Sequence, residues 1–132
     1  MTLPKRTPEG STIIFMKALS DKMVNYKLET FFKYVHLVCM LDVYQNGPPN
    51  GHIIVQDLQP FPASFVPKME YGPFKKFFYY DYEVLPTIQI KGMHFFNSNP
   101  KKDDIVGVLE SAALKSLLPL VIPHESVDDL VK

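Results

Sequence analysis

The stretch LETFFKYVHLVCMLDVYQNGPPNGHIIVQDL, residues 28–58, decides the fold. Its first part, residues 28–44, lacks Gly and Pro. Glu29, Lys33 and His36 fall four and three residues apart, so they form one narrow polar stripe on a helix. The remaining positions, among them Phe31, Phe32, Tyr34, Val35, Leu37, Val38, Met40 and Leu41, are apolar, and a helix apolar over most of its circumference is expected to be mostly buried. Residues 45–51, QNGPPNG, then stop the helix with turn chemistry. Residues 52–58 follow as a strand centred on Ile53, Ile54 and Val55. Upstream, residues 11–19 carry Thr12, Ile13, Ile14 and Phe15, a second β-prone run preceded by Gly10. Strand, helix and strand in that order imply a parallel pair joined by a crossover.

The pattern continues outward. Residues 60–73 are rich in proline and read as loop or short broken helix. Residues 74–85 are aromatic and of helical length, ended by Pro86. Residues 88–97 form a third strand, Asn97 to Pro100 a turn, and residues 103–117 a helix with Asp103 and Asp104 in its first turn. Residues 118–123 are a short fourth strand, and residues 125–131 begin another helix. The expected class is α/β: a mostly parallel sheet flanked by helices and built from βαβ units. Residues 1–10, with Pro4 and Pro8, are expected to be an irregular lead-in to a single domain over residues 11–132.

Composition narrows the function. The 132 residues carry 14 Lys+Arg and 14 Asp+Glu, a net charge of zero, which argues against a nucleic-acid partner. One cysteine, Cys39, cannot form an internal disulfide, and on the buried helix it behaves as a small hydrophobe. No apolar run reaches the roughly 20 residues that span a bilayer, and residues 1–10 do not read as a signal peptide. There is no glycine-rich phosphate loop, no Gly-x-Ser-x-Gly elbow and no His-Glu-x-x-His. The four histidines, His36, His52, His94 and His124, lack metal-ligand spacing with one another or with Cys39. The chain is therefore expected to be no enzyme, with no cofactor and no metal. What remains is an excess of large apolar side chains, with ten Phe, seven Tyr and six Met. The cluster Phe74, Phe77, Phe78, Tyr79, Tyr80 and Tyr82 exceeds what one helix face buries, so it forms either core with exposed aromatics or the wall of an apolar cavity.

Four stretches resemble the lipid-binding domain of the CRAL-TRIO family, closest to its tocopherol-transfer and retinaldehyde-binding branch. Residues 51–58, GHIIVQDL, are similar to the family strand ending in Asp-Leu. Residues 90–97, IKGMHFFN, resemble its Lys/Arg-Gly-Ile-His-x-Ile-Asn strand. Pro100 follows, where the family has Asn, Pro and a mobile helix, and residues 120–126, LVIPHES, resemble the short strand and helix near the domain's end. Order and spacing agree from about Leu3 to Lys132. Compared with that family, the chain begins after the N-terminal helical module and is incomplete at the C-terminal end of the domain. Pro60 stands where the family has Gly.

The resemblance implies a parallel sheet as pocket floor, helices as walls and a gate helix over an apolar cargo. Carried over by position, the ligand pocket takes Phe31, Tyr34 and Val38 from the helix and His52, Ile54 and Gln56 from the second strand. Phe77 and Tyr80 of the aromatic helix, and Met93 and Phe95 of the third strand, complete it. The gate helix presents Ile105, Val106, Leu109 and Ala113. Gln89 and Lys91 stand where two basic residues contact phosphoinositide headgroups. The implied function is binding and intracellular transfer of a tocopherol- or retinoid-like molecule or a phospholipid by a cytoplasmic monomer that meets membranes transiently. Two other readings stay open. One is a protein-interaction module of the same fold with a collapsed pocket. The other is an enzyme using Asp57, His94 and Asn97 at the carboxyl ends of the strands.

Overall fold

A computed structural model describes residues 1–17, 27–59, 88–97 and 118–131, together with the single positions 72, 76, 103 and 107. Four parallel strands form one sheet: β1 (Thr12–Lys17), β2 (His52–Asp57), β3 (Ile90–Phe96) and β4 (Val121–Pro123). Their order in space, β1-β2-β3-β4, is their order in the chain. Helix α1 (Leu28–Asn46) lies between β1 and β2, and a short α2 (Val127–Val131) follows β4. The protein is α/β. The fourth strand is shorter than residues 118–123, because Leu118–Leu120 form a 3-10 turn before it. The expected helices over 74–85 and 103–117 lie almost wholly outside the described residues; Lys76, Asp103 and Gly107 are helical. So is Gly72, within the stretch read as loop or broken helix.

The register is regular between β1 and β2, from Thr12 opposite His52 to Lys17 opposite Asp57. Between β2 and β3 it slips by one residue after His52, which pairs with Ile90 while Ile53 pairs with Gly92. Alternation then assigns the two faces. One face joins Ile14, Met16, Ile54, Ile90 and Met93 to Phe32, Val35 and Cys39 of α1 in a single buried cluster that also takes Ile88. Complete burial of a side chain such as Ile14 contributes roughly 1.5–3 kcal/mol. The other face is apolar too: Val55 and Phe96 are buried, and the Phe15 and Phe96 rings lie 6.1 Å apart. Apolar side chains on both faces are what parallel strands require.

Helix α1 buries one face only. Phe32, Val35 and Cys39, at i, i+3 and i+7, point to the sheet, and Phe31 and Val38 flank them half-buried. Tyr34, Leu37, Leu41 and Tyr44 lie on the outer side, 55%, 65%, 52% and 89% exposed. The expectation of a mostly buried helix is corrected: its outer face is apolar and open to solvent. The helix ends at Gly47, whose φ of 74° is the left-handed conformation that glycine tolerates best. Arg6 seals that end by donating to the carbonyls of Asn46 (3.0 Å) and Gly47 (2.7 Å), a cation where the helix dipole is negative.

Residues 1–10 carry no helix or strand, but their first residues pair with β1. Leu3 N–H donates to Ile13 O, Phe15 N–H donates to Met1 O, and Thr2 bridges Ile14 antiparallel. The first residues thus cover the outer edge of β1, which would otherwise leave ladder groups unpaired.

Candidate functional site

Three polar constellations and one apolar shelf are built on this frame. The first joins α1 to the amino ends of β1 and β2. Asp42, 4% exposed, accepts from Thr12 Oγ1 (2.8 Å) and Asn46 Nδ2 (2.9 Å). His52, fully buried, has its Nε2 3.5 Å from the same carboxylate. Neither His52 ring nitrogen has a hydrogen-bond partner. Burial holds the imidazole below the ordinary histidine range, and the opposing pull of Asp42 does not restore it. His52, which the resemblance assigns to a ligand pocket, lies beneath the end of α1, beside Thr12 and Asp42.

The second constellation closes the carboxyl ends of β1, β2 and β3. Asp57, 3% exposed, accepts from Asn97 Nδ2 (2.9 Å) and Gln59 N–H (2.9 Å) and pairs with Lys17 Nζ (3.2 Å). Burial would raise its pKa, but these three partners together hold the carboxyl below its usual range. Asn97 adopts φ 54°, a left-handed turn that asparagine accepts more readily than most residues. Lys17 and Asn97 come from the ends of β1 and β3 while Gln59 closes a local turn, so this cluster acts as a strand-end clamp. The third constellation is His94 on β3 and His124 after β4, with Nδ1 and Nε2 2.9 Å apart. Of the three enzyme candidates, Asp57 and Asn97 meet, whereas His94 pairs with His124. Among the described residues no group of three His, Cys, Asp or Glu is placed to hold a metal ion.

The apolar shelf lies on the α1 face. Phe31, Val38, Phe95, Leu120 and Val121 are partly buried against the core cluster. Of the residues assigned to a pocket, Phe31, Val38 and Phe95 stand on this shelf. Ile54 and Met93 lie beneath it, each 5% exposed within the core. Gln56 is buried on β2. Tyr34 does not join them, since the helical period turns it to solvent. Phe77, Tyr80, Ile105, Val106, Leu109 and Ala113 lie outside the described residues.

Gln89 and Lys91 sit at the start of β3, exposed, and the Gln89 carbonyl accepts from His52 N–H (2.7 Å). Lys91, with Glu9, Ser11, Asn50 and Ile53, lines an open depression of about 580 Å³. Among the described residues, no carried-over site residue other than Lys91 borders it. No known protein-family model matches this chain, and no curated protein sequence matches it. Among the described residues no helix is long and apolar enough to cross a membrane.

Sequence reading missed Asp42 and the His94–His124 pair. Asp42 carried a signal: a lone carboxylate one turn from a helix C-terminus opposes the dipole and needs a specific partner. The histidine pair had none, because 30 positions separate its members, one on β3 and one just after β4.

Proposed function

We propose that the chain is a CRAL-TRIO-like module that binds a small apolar molecule, tocopherol- or retinoid-like or a phospholipid, and carries it between membranes. The observation that carries this reading is the half-covered shelf of Phe31, Val38, Phe95, Leu120 and Val121 beside a parallel sheet. Apolar atoms left part-exposed next to a packed core gain about 25 cal/mol for each Å² that a ligand covers. Asp103 and Gly107, two positions of the expected gate shortly after the Asn97 turn, are helical. On this reading the protein works as a cytoplasmic monomer, peripheral to membranes, with no nucleic acid, cofactor or catalysis. Lys91 adds an attraction to anionic headgroups of about 1 kcal/mol.

The test is transfer of a fluorescent tocopherol analogue from donor vesicles. Phe95→Ala should lower transfer at least fivefold, with a modest loss of stability because Phe95 is only half-buried. Transfer unaltered by Phe95→Ala and by Phe31→Ala would remove the shelf from consideration.

A protein-interaction module is the second reading, favoured by the exposed stripe Tyr34, Leu37, Leu41 and Tyr44 on α1. It predicts that Leu37→Asp abolishes association with a partner and leaves lipid transfer unchanged.

A further inference from the structure

The two rings of the His94–His124 pair have a defined mutual orientation. Their centroids are 5.2 Å apart, their planes differ by 9°, and Nδ1 of His94 lies 2.9 Å from Nε2 of His124. Each ring nitrogen sits about 1.15 Å from its own ring centre, so the centroid distance leaves no slack: both nitrogens lie on the line joining the centroids. The rings are therefore edge to edge in one plane, not face to face. Both facing lone-pair directions run along a single line. That geometry suits one N–H···N hydrogen bond and leaves no room for a metal ion between the nitrogens.

Such a bond has a strict proton requirement. One facing nitrogen must carry a proton and the other must not. A first added proton can go to an outward nitrogen and keep the bond, now charge-assisted. A second leaves two N–H groups opposed at hydrogen-bond distance, on two cations.

The pair also bridges a weak place. β4 has only three residues and pairs with β3 at Met93, His94 and Phe95. Beside this short ladder and the packing of Leu120 and Val121 against the core, it is tied by the His124 backbone N–H donating to Phe95 O (2.6 Å) and by the ring contact itself. Gly92 provides the space: a Cβ there would lie 3.2 Å from His94 Nε2.

We propose that His94 and His124 form an acid-released clasp that holds β4 and α2 on the edge of the sheet. The neutral and singly protonated pair keeps the clasp shut, and double protonation opens it. Among the described residues, the elements next to the pair carry these charged groups. On β3 there is Lys91. On β2 there is Asp57, already tied to Lys17 and Asn97. At the start of α2 there are Glu125, Asp128 and Asp129, with Ser126 Oγ donating to Asp129. Burial first, and the His124 charge second, hold His94 below the ordinary histidine range, so the closed form resists the second proton. Opening returns His94 to its ordinary range near 6.5. The open form therefore binds more protons, and acid favours it, by up to about tenfold per pH unit below roughly 6.5.

Amide hydrogen exchange on the full chain tests this, with intrinsic rates divided out. Between pH 7 and pH 5 the protection of Ile122 and His124 should fall at least tenfold. In His124→Gln, which keeps His52 and so controls for global destabilisation, the amide can still bond His94 but cannot gain a proton; only the burial of His94 then couples opening to acid, and the fall should be clearly smaller. Constant protection in the wild type, or the same fall in His124→Gln, overturns the proposal. Ring titration by nitrogen-15 NMR gives an independent reading on the wild type. Two coupled steps support the clasp, and two independent steps at ordinary values refute it.

Discussion

Replacing Asp42 by alanine strips the join between α1 and the strands of its acceptor. Two hydrogen bonds to a charged group would be worth about 1.5–3 kcal/mol each. They are not equal here. Asn46 is exposed, and water replaces its lost partner. Thr12 is 2% exposed, so its hydroxyl becomes a buried donor with nothing to bond. His52, already without a hydrogen-bond partner, loses the one anion beside it. The expected cost is therefore about 2–4 kcal/mol, dominated by the Thr12 bond, from a total stability of some 5–15 kcal/mol. Urea unfolding followed by circular dichroism measures it, with the midpoint expected to drop by about 1–2 M at an unchanged slope. Thr12→Val in the same background supplies a double-mutant cycle, in which Thr12 and Asp42 should couple by at least about 1 kcal/mol. A loss below about 0.5 kcal/mol for Asp42→Ala would refute the assignment of this buried network.

Four further outcomes follow from the same geometry. Folding stability should decline as pH falls below about 6.5, because buried His52 has its pKa depressed on folding and the unfolded chain then binds the extra proton; a flat urea midpoint between pH 7.5 and pH 5 would contradict this. Gly47→Ala should cost about 1–3 kcal/mol, read from the thermal midpoint, since a side chain must then adopt φ 74° with ψ 169°. Ile54→Trp should destabilise by about 1–3 kcal/mol by overpacking the space beneath α1, and a gain in stability would reveal an unfilled cavity there. Lys91→Glu should weaken binding to anionic vesicles about tenfold in sedimentation, and unaltered binding would exclude Lys91 from the headgroup contact.

The parallel sheet was legible because its signals are local. β-Branched runs at 12–15 and 52–55, a helix without Gly or Pro, and turn residues at 45–51 each act within a few positions of themselves. The short 3-10 turn at Leu118–Leu120 was not, since its apolar residues suit a strand equally well. Which side of α1 faces the sheet was also obscure. With apolar residues all round, the polar stripe does not identify the inner face, and contact with Ile14 and Ile54 selects Phe32, Val35 and Cys39 over Tyr34 and Leu41. Alternation along β2 assigns His52, Ile54 and Gln56 to one face. Alternation does not reveal that α1 already occupies the amino end of that face. The edge pairing of residues 1–3 and the capping of α1 by Arg6 depend on partners 10 or more positions away, which no local pattern encodes.

Native mass spectrometry of the purified chain after incubation with tocopherol, retinaldehyde and phospholipid tests the central claim most directly. A compact charge-state envelope carrying one apolar molecule, lost in Phe95→Ala, is the predicted result. A compact envelope that takes up none of the three would contradict it.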